Sequence, residues 1–109
     1  MVLVEEDLEL SPDFLAFFRE TAWLLHVDHS LWCVSAWNDN GFKTTAGNEQ
    51  RLFRTGYFPG LGWMLRANLW TDELAAKWPL KASTGWDHWM RLSSVAKYVR
   101  PMHAWRRLS

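Results

Sequence analysis

Two short stretches combine residue types that could do chemistry. The first is "LVEEDLEL", Leu3 to Leu10, in which Glu5, Glu6 and Asp7 stand between short apolar runs. Acids are depleted in strand interiors. The cluster is therefore a solvated turn, the acidic first turn of a helix, or a metal site at the end of a strand. A carboxylate just past a buried strand lies at the sheet's carboxyl edge, where open α/β folds bind ligands. In nucleotide enzymes, magnesium or manganese often uses one or two carboxylates together with substrate phosphates. On the acids alone, the solvated turn comes first.

The second stretch is "GWDHWM", which sets Asp87 and His88 between Trp86 and Trp89. A carboxylate flanked by indoles can have a raised pKa and serve as a general base. The plainer reading makes Asp87 a helix cap and the tryptophans core, with His88 on the surface. His26 and His29 are close in "HVDH", but no cysteine or further acid completes a zinc pattern. "SAWNDNG" reads as a turn at a sheet edge. "YFPGLGW" is either a backbone-shaped loop that lets something approach closely or a bend before a helix. Walker, dinucleotide-binding, G-x-S-x-G and H-E-x-x-H motifs are all missing.

The totals bound what these stretches can belong to. With 109 residues, 49% hydrophobic, 22% charged and a formal net charge of zero, the chain is one globular domain or a piece of one. Nothing in that balance calls for nucleic acid or an anionic membrane as partner. Acids crowd the first twenty residues, whereas from Arg91 onward there are five basic residues and no acid. Cys33 is the single cysteine, so no internal disulfide can form. No stretch approaches the roughly 20 apolar residues of a membrane span, and no signal-peptide pattern follows Met1.

Elements must position the candidate residues. "MVLV" fits a buried strand that stops at the acids. "SPDFLAFFRETAWLL" predicts a helix with Ser11 as N-cap and Pro12 in its first position, broken by "HVDHS". "LWCVSAW", Leu31 to Trp37, predicts a second strand, ended by "NDNG". "FKTTAGNEQRLFRTGYFPGLGW" predicts a long polar loop. Trp63 to about Lys77 has a helical pattern that Pro79 ends, and "STGWDHWMRL" opens a short helix. The remainder is weakly patterned. This order is α/β, but its two or three strands fall below the usual five to six or so of a sheet.

Taken together, "VEEDLELSPDF", "LWCVSAWNDNG", "LFRTGYFPGLGWML", "KWP" and "WDHWMR" occur in the order and approximate spacing of glycosyltransferase family 13. The chain resembles that family from about Val2 to Pro101. Its members are β-1,2-N-acetylglucosaminyltransferases that act on mannose. The resemblance implies a GT-A fold, with residues 1–101 a C-terminal part of the catalytic domain and 102–109 a divergent tail. It also implies metal-dependent, inverting transfer from UDP-GlcNAc to the 2-hydroxyl of a mannose on a glycoprotein N-glycan, a mannose-containing glycan acceptor, on the lumenal side of the Golgi membrane. Family members are anchored by an N-terminal membrane helix that this chain lacks.

By the same resemblance, Asp7 is the manganese (Mn2+) ligand and Asp87 the catalytic base. Glu6 would lie near the uridine ribose, Glu5 with it on the substrate side, and Trp86 at the acceptor. The sequence departs from the family at several points. Glu6 replaces an aspartate, Gly56 stands where aspartate is usual, and Tyr98 occupies the place of the disulfide partner of Cys33. Losing that bridge would cost roughly 2–5 kcal/mol if nothing replaced it. The expectation is a truncated domain, weakly stable and nearly inactive, because "MVLV" has no evident neighbours. Transfer to O-linked mannose and a non-catalytic remnant are the other readings.

Overall fold

Among the described residues, five strands form one sheet: β1 (Val2–Leu3), β2 (Leu31–Ser35), β3 (Leu52–Arg54), β4 (Trp63–Leu65) and β5 (Arg100–Ala104). Their order across the sheet is β1-β4-β2-β5-β3. They are seen in a computed structural model that describes residues 1–38, 42, 51–56, 58–79, 85–92 and 100–104, with backbone alone for 86–88 and 100–104. The apolar run "LWCVS" became the central strand, and all five of its residues are buried. β1 and β2 both run antiparallel to β4, while β5 is parallel to β2 and antiparallel to β3.

The sheet carries a core on each face, which makes the architecture α/β in layers. On one face α1 (Phe14–Val27) packs Phe14, Phe17, Phe18 and Leu25 against Leu31, Val34 and Met64. On the other, Trp32, Cys33, Trp63 and Leu65 meet Phe58, Leu69, Leu74 and Met90. Along β4 the faces alternate as the pleat requires, with Met64 on one side and Trp63 and Leu65 on the other. β2 breaks this alternation. Trp32 and Cys33 share a cluster, and the register with β5 shifts between Leu31 and Val34, as a local bulge would produce.

The second face is covered by helix from Ala67 to Lys77 and by a short α4. The first comprises α2 (Ala67–Leu69), a π-helical turn (Trp70–Leu74) and α3 (Ala75–Lys77). Trp78 then turns extended, as the residue before a proline does. α4 is Trp86–Arg91, where a short helix is expected from the sequence.

Several expectations are corrected. Trp63–Leu65 is a strand rather than the start of a helix, because its three residues are buried between β1 and β2. Leu52–Arg54, expected within a polar loop, is β3, and the weakly patterned end of the chain supplies β5. "MVLV" has a neighbour after all: β1 pairs along β4, half-buried, and the Met1 ammonium donates to the Leu65 carbonyl at 2.9 Å. Asp13 rather than Ser11 takes the N-cap position of α1, which continues to Val27. The Ser11 hydroxyl donates to Asp13 Oδ1 at 2.6 Å, and its carbonyl accepts from the Phe14 N–H at 3.1 Å. Asp39 to Gly41 and Tyr98 lie outside the described residues.

Gly62 shows why "PGLG" has two glycines. Gly60, Leu61 and Gly62 all have left-handed backbone, with φ of 71°, 51° and 78°. A Cβ on Gly62 would lie 2.9 Å from Phe14 Cε2, inside the α1 core. Gly62→Ala is therefore expected to destabilise the chain by about 1–3 kcal/mol, combining the left-handed penalty with a forced shift of Phe14. Urea unfolding of the two proteins measures it, and equal midpoints would refute the contact.

Candidate active site

The strand directions bring the sequence motifs to one place. The carboxyl ends of β1, β2 and β5 share an edge of the sheet with the amino end of β4. Leu3 and Ser35 both pair with Trp63, so the acid cluster after β1 and the "AWN" segment after β2 leave the sheet level with each other. The loop Phe58–Gly62 enters β4 at that same edge. It is stitched to β2 by the Ala36 N–H, which donates to the Gly62 carbonyl at 2.9 Å. The Ser35 hydroxyl donates to the Gly60 carbonyl at 3.1 Å and accepts from the Trp37 N–H at 3.1 Å.

α4 joins this edge through its far end. Arg91 Nε donates to the Phe58 carbonyl at 2.9 Å, and Met90 is fully buried in the core below. The Trp89 ring meets Trp78 edge-to-face at 5.0 Å, and Trp78 meets Trp70 at 5.3 Å. Trp78 also lines a cleft of about 230 Å³ with Leu3, Val4, Glu5 and Trp63. Glu5 of the acid turn thus lines the cleft, and α4 reaches its wall through the Trp89–Trp78 ring contact.

Each residue singled out in the sequence can now be placed. Glu5 is half-buried and lines the cleft, while Glu6 and Asp7 are exposed in a turn closed by the Leu8 N–H donating to the Glu5 carbonyl at 3.3 Å. The acids therefore form a solvated turn, and that turn leaves the sheet at the carboxyl end of β1. Trp86 and Asp87 begin α4, and their side chains lie outside what the structure describes. Cys33 is free and fully buried, and burial pushes its thiol pKa far up, so it is an inert core residue. Ser35 and Arg91 were not singled out by sequence reasoning. They sit inside the quoted motifs, but their hydrogen bonds go to backbone carbonyls that no side-chain pattern announces.

A divalent metal is what the acid cluster would suit. Among the described residues, no group of three or more His, Cys, Asp or Glu side chains could hold a metal ion. An all-protein cage is therefore ruled out within that set. Two exposed carboxylates at a sheet edge do fit a hard cation that takes one or two carboxylates and completes its shell with substrate oxygens and water. The opposite edge has a different character. There Arg66 Nη1 donates to the Leu25 and Leu31 carbonyls at 3.0 and 3.1 Å, closing the end of α1 onto β2.

Comparison with known proteins agrees with the motifs. The model of the GNT-I family matches residues 1–102. Over 104 residues the chain is 40% identical to the alpha-1,3-mannosyl-glycoprotein 2-beta-N-acetylglucosaminyltransferase of Arabidopsis thaliana. That match covers 93% of this chain and 22% of the relative, so the chain spans a minor part of the relative's length. Among the described residues, no helix is long and apolar enough to cross a membrane.

Proposed function

Since this chain belongs to the GNT-I family, we propose that it carries the metal and base side of a β-1,2-N-acetylglucosaminyltransferase. Its fold would be part of a GT-A domain, working on the lumenal side of the Golgi. The donor is UDP-GlcNAc and the acceptor a mannose of a glycoprotein N-glycan; the name of the Arabidopsis relative specifies an alpha-1,3-mannosyl-glycoprotein. One observation carries the reading: the acid turn, the "AWN" segment and the glycine loop meet at one sheet edge, to which α4 is tied.

The chemistry needs few groups. The mannose 2-hydroxyl attacks C1 of the donor sugar, a C–O bond forms, and the bond to the UDP oxygen breaks. Asp87 takes the hydroxyl proton as the attack proceeds. One displacement inverts the anomeric centre, so a single base suffices. Glu6 would accept from a ribose hydroxyl and Glu5 would face the donor sugar, while Trp86 would shape the acceptor side. Asp7 would hold a manganese ion, which supplies Lewis-acid stabilisation of the charge that grows on the diphosphate.

The metal assignment has its own test. Asp7→Ala is expected to abolish manganese-dependent UDP-GlcNAc binding by titration calorimetry, and an unchanged affinity would refute it. Transfer assays with an N-glycan mannose and an O-linked mannose acceptor complete the experiment. Turnover on the second alone would move the assignment to protein O-mannose. No turnover on either, with no donor binding, would leave the remnant reading.

A further inference from the structure

We propose that Arg91 is a positioning residue for transfer, setting the rotation of α4 and hence the place of Asp87. The inference rests on the reading of Asp87 as the base. α4 has only six residues, and helices this short are marginal without tertiary anchors. Two of its anchors are non-directional: Met90, buried in the core, and Trp89, packed on Trp78. Apolar contacts of this kind hold a helix down but allow it to roll. The hydrogen bond from Arg91 Nε to the Phe58 carbonyl is directional and half-buried, so it fixes the roll.

Its acceptor is built to stay still. Phe58 is 3% exposed, and its ring meets Trp32 at 5.6 Å and Trp63 at 4.9 Å, both edge-to-face. The loop beyond it is pinned by Ser35 and Ala36 and passes through three left-handed residues. Asp87 precedes Arg91 by four residues, one helical turn, so the two residues lie on the same side of α4. A fixed azimuth at Arg91 is a fixed azimuth at Asp87. The chain of contacts from β2 through the glycine loop to Arg91 thus relates the base-bearing helix to the edge that holds the acids.

The test compares the 109-residue chain with Arg91→Ala, Arg91→Lys and Asp87→Asn in steady-state transfer from UDP-GlcNAc. Misplacement of about 1 Å can cost about 100-fold, so kcat of Arg91→Ala should fall about 10- to 100-fold. KM for the donor should stay within about twofold, since a loss confined to kcat reports an interaction needed in the transition state. Arg91→Lys keeps a donor on a more flexible stem and should recover part of kcat, as should millimolar guanidinium added to Arg91→Ala. A merely structural role would raise KM as well and would not respond to guanidinium. Loss of turnover in Asp87→Asn with kcat of Arg91→Ala unchanged, or with KM rising in step, overturns the proposal alone. Full turnover in Asp87→Asn overturns the base reading and the proposal with it.

Discussion

Asp87→Asn is expected to lower transfer about 10²- to 10⁴-fold, the usual cost of losing a general base. The substitution is nearly isosteric, so α4 should keep its place: Met90 stays buried, Trp89 stays on Trp78 and Arg91 on Phe58. Donor affinity and thermal midpoint should therefore match the parent while kcat collapses. That separation is what distinguishes a base from the helix cap that Asp87 also resembles in sequence. The structure corrects the cap reading, since Gly85 holds the N-cap position of α4 and Asp87 lies within its first turn. Asn also caps as well as Asp, so a cap role would leave both stability and transfer unchanged. Transfer at the parent rate would remove Asp87 from the mechanism.

Phe58→Ala should be the most damaging change to the fold, at about 3–5 kcal/mol. Phe58 fills the space between Trp32 and Trp63, and the two edge-to-face pairs add to its buried area. Truncation leaves a cavity beneath a loop whose conformation is already strained at Leu61. A small domain has only about 5–15 kcal/mol in hand, so most of the stability is at stake. With urea slopes of about 1–3 kcal/mol/M, the unfolding midpoint should drop by about 1 M or more. Leu15→Ala on the outer face of α1, where Leu15 is 69% exposed, should stay within about 0.5 kcal/mol and serves as the control. Equal midpoints for the two variants would show that Phe58 is not the keystone of that core.

Much of the local structure was readable from residue order. The stretch "SPDFLAFFRETAWLL" announced α1, and the apolar run from Leu31 announced the central strand. The cap was misread by two positions, since Ser11 and Asp13 both suit it and helix ends are decided by a single hydrogen bond. β4 was misread outright. "WML" is apolar in either a helix or a strand, and the helical pattern from Arg66 onward extended naturally back over it.

The sequence by itself determined family and residue inventory: three acids after an apolar run, an aspartate among tryptophans, a glycine loop between them. Those are local facts, carried by side-chain type and order. Helices were legible for the same reason, because their bonds join residues four apart. Only the tertiary structure decided that three-residue stretches at 52–54 and 63–65 and a patternless end would become strands. Too short to carry a period, such strands are selected by the partners that pair with them. The site belongs to that second category. The acid turn, the glycine loop and α4 meet only because β1 and β2 flank β4 in opposite sense and a side chain from α4 reaches the Phe58 carbonyl. No window of the sequence contains both ends of such a contact.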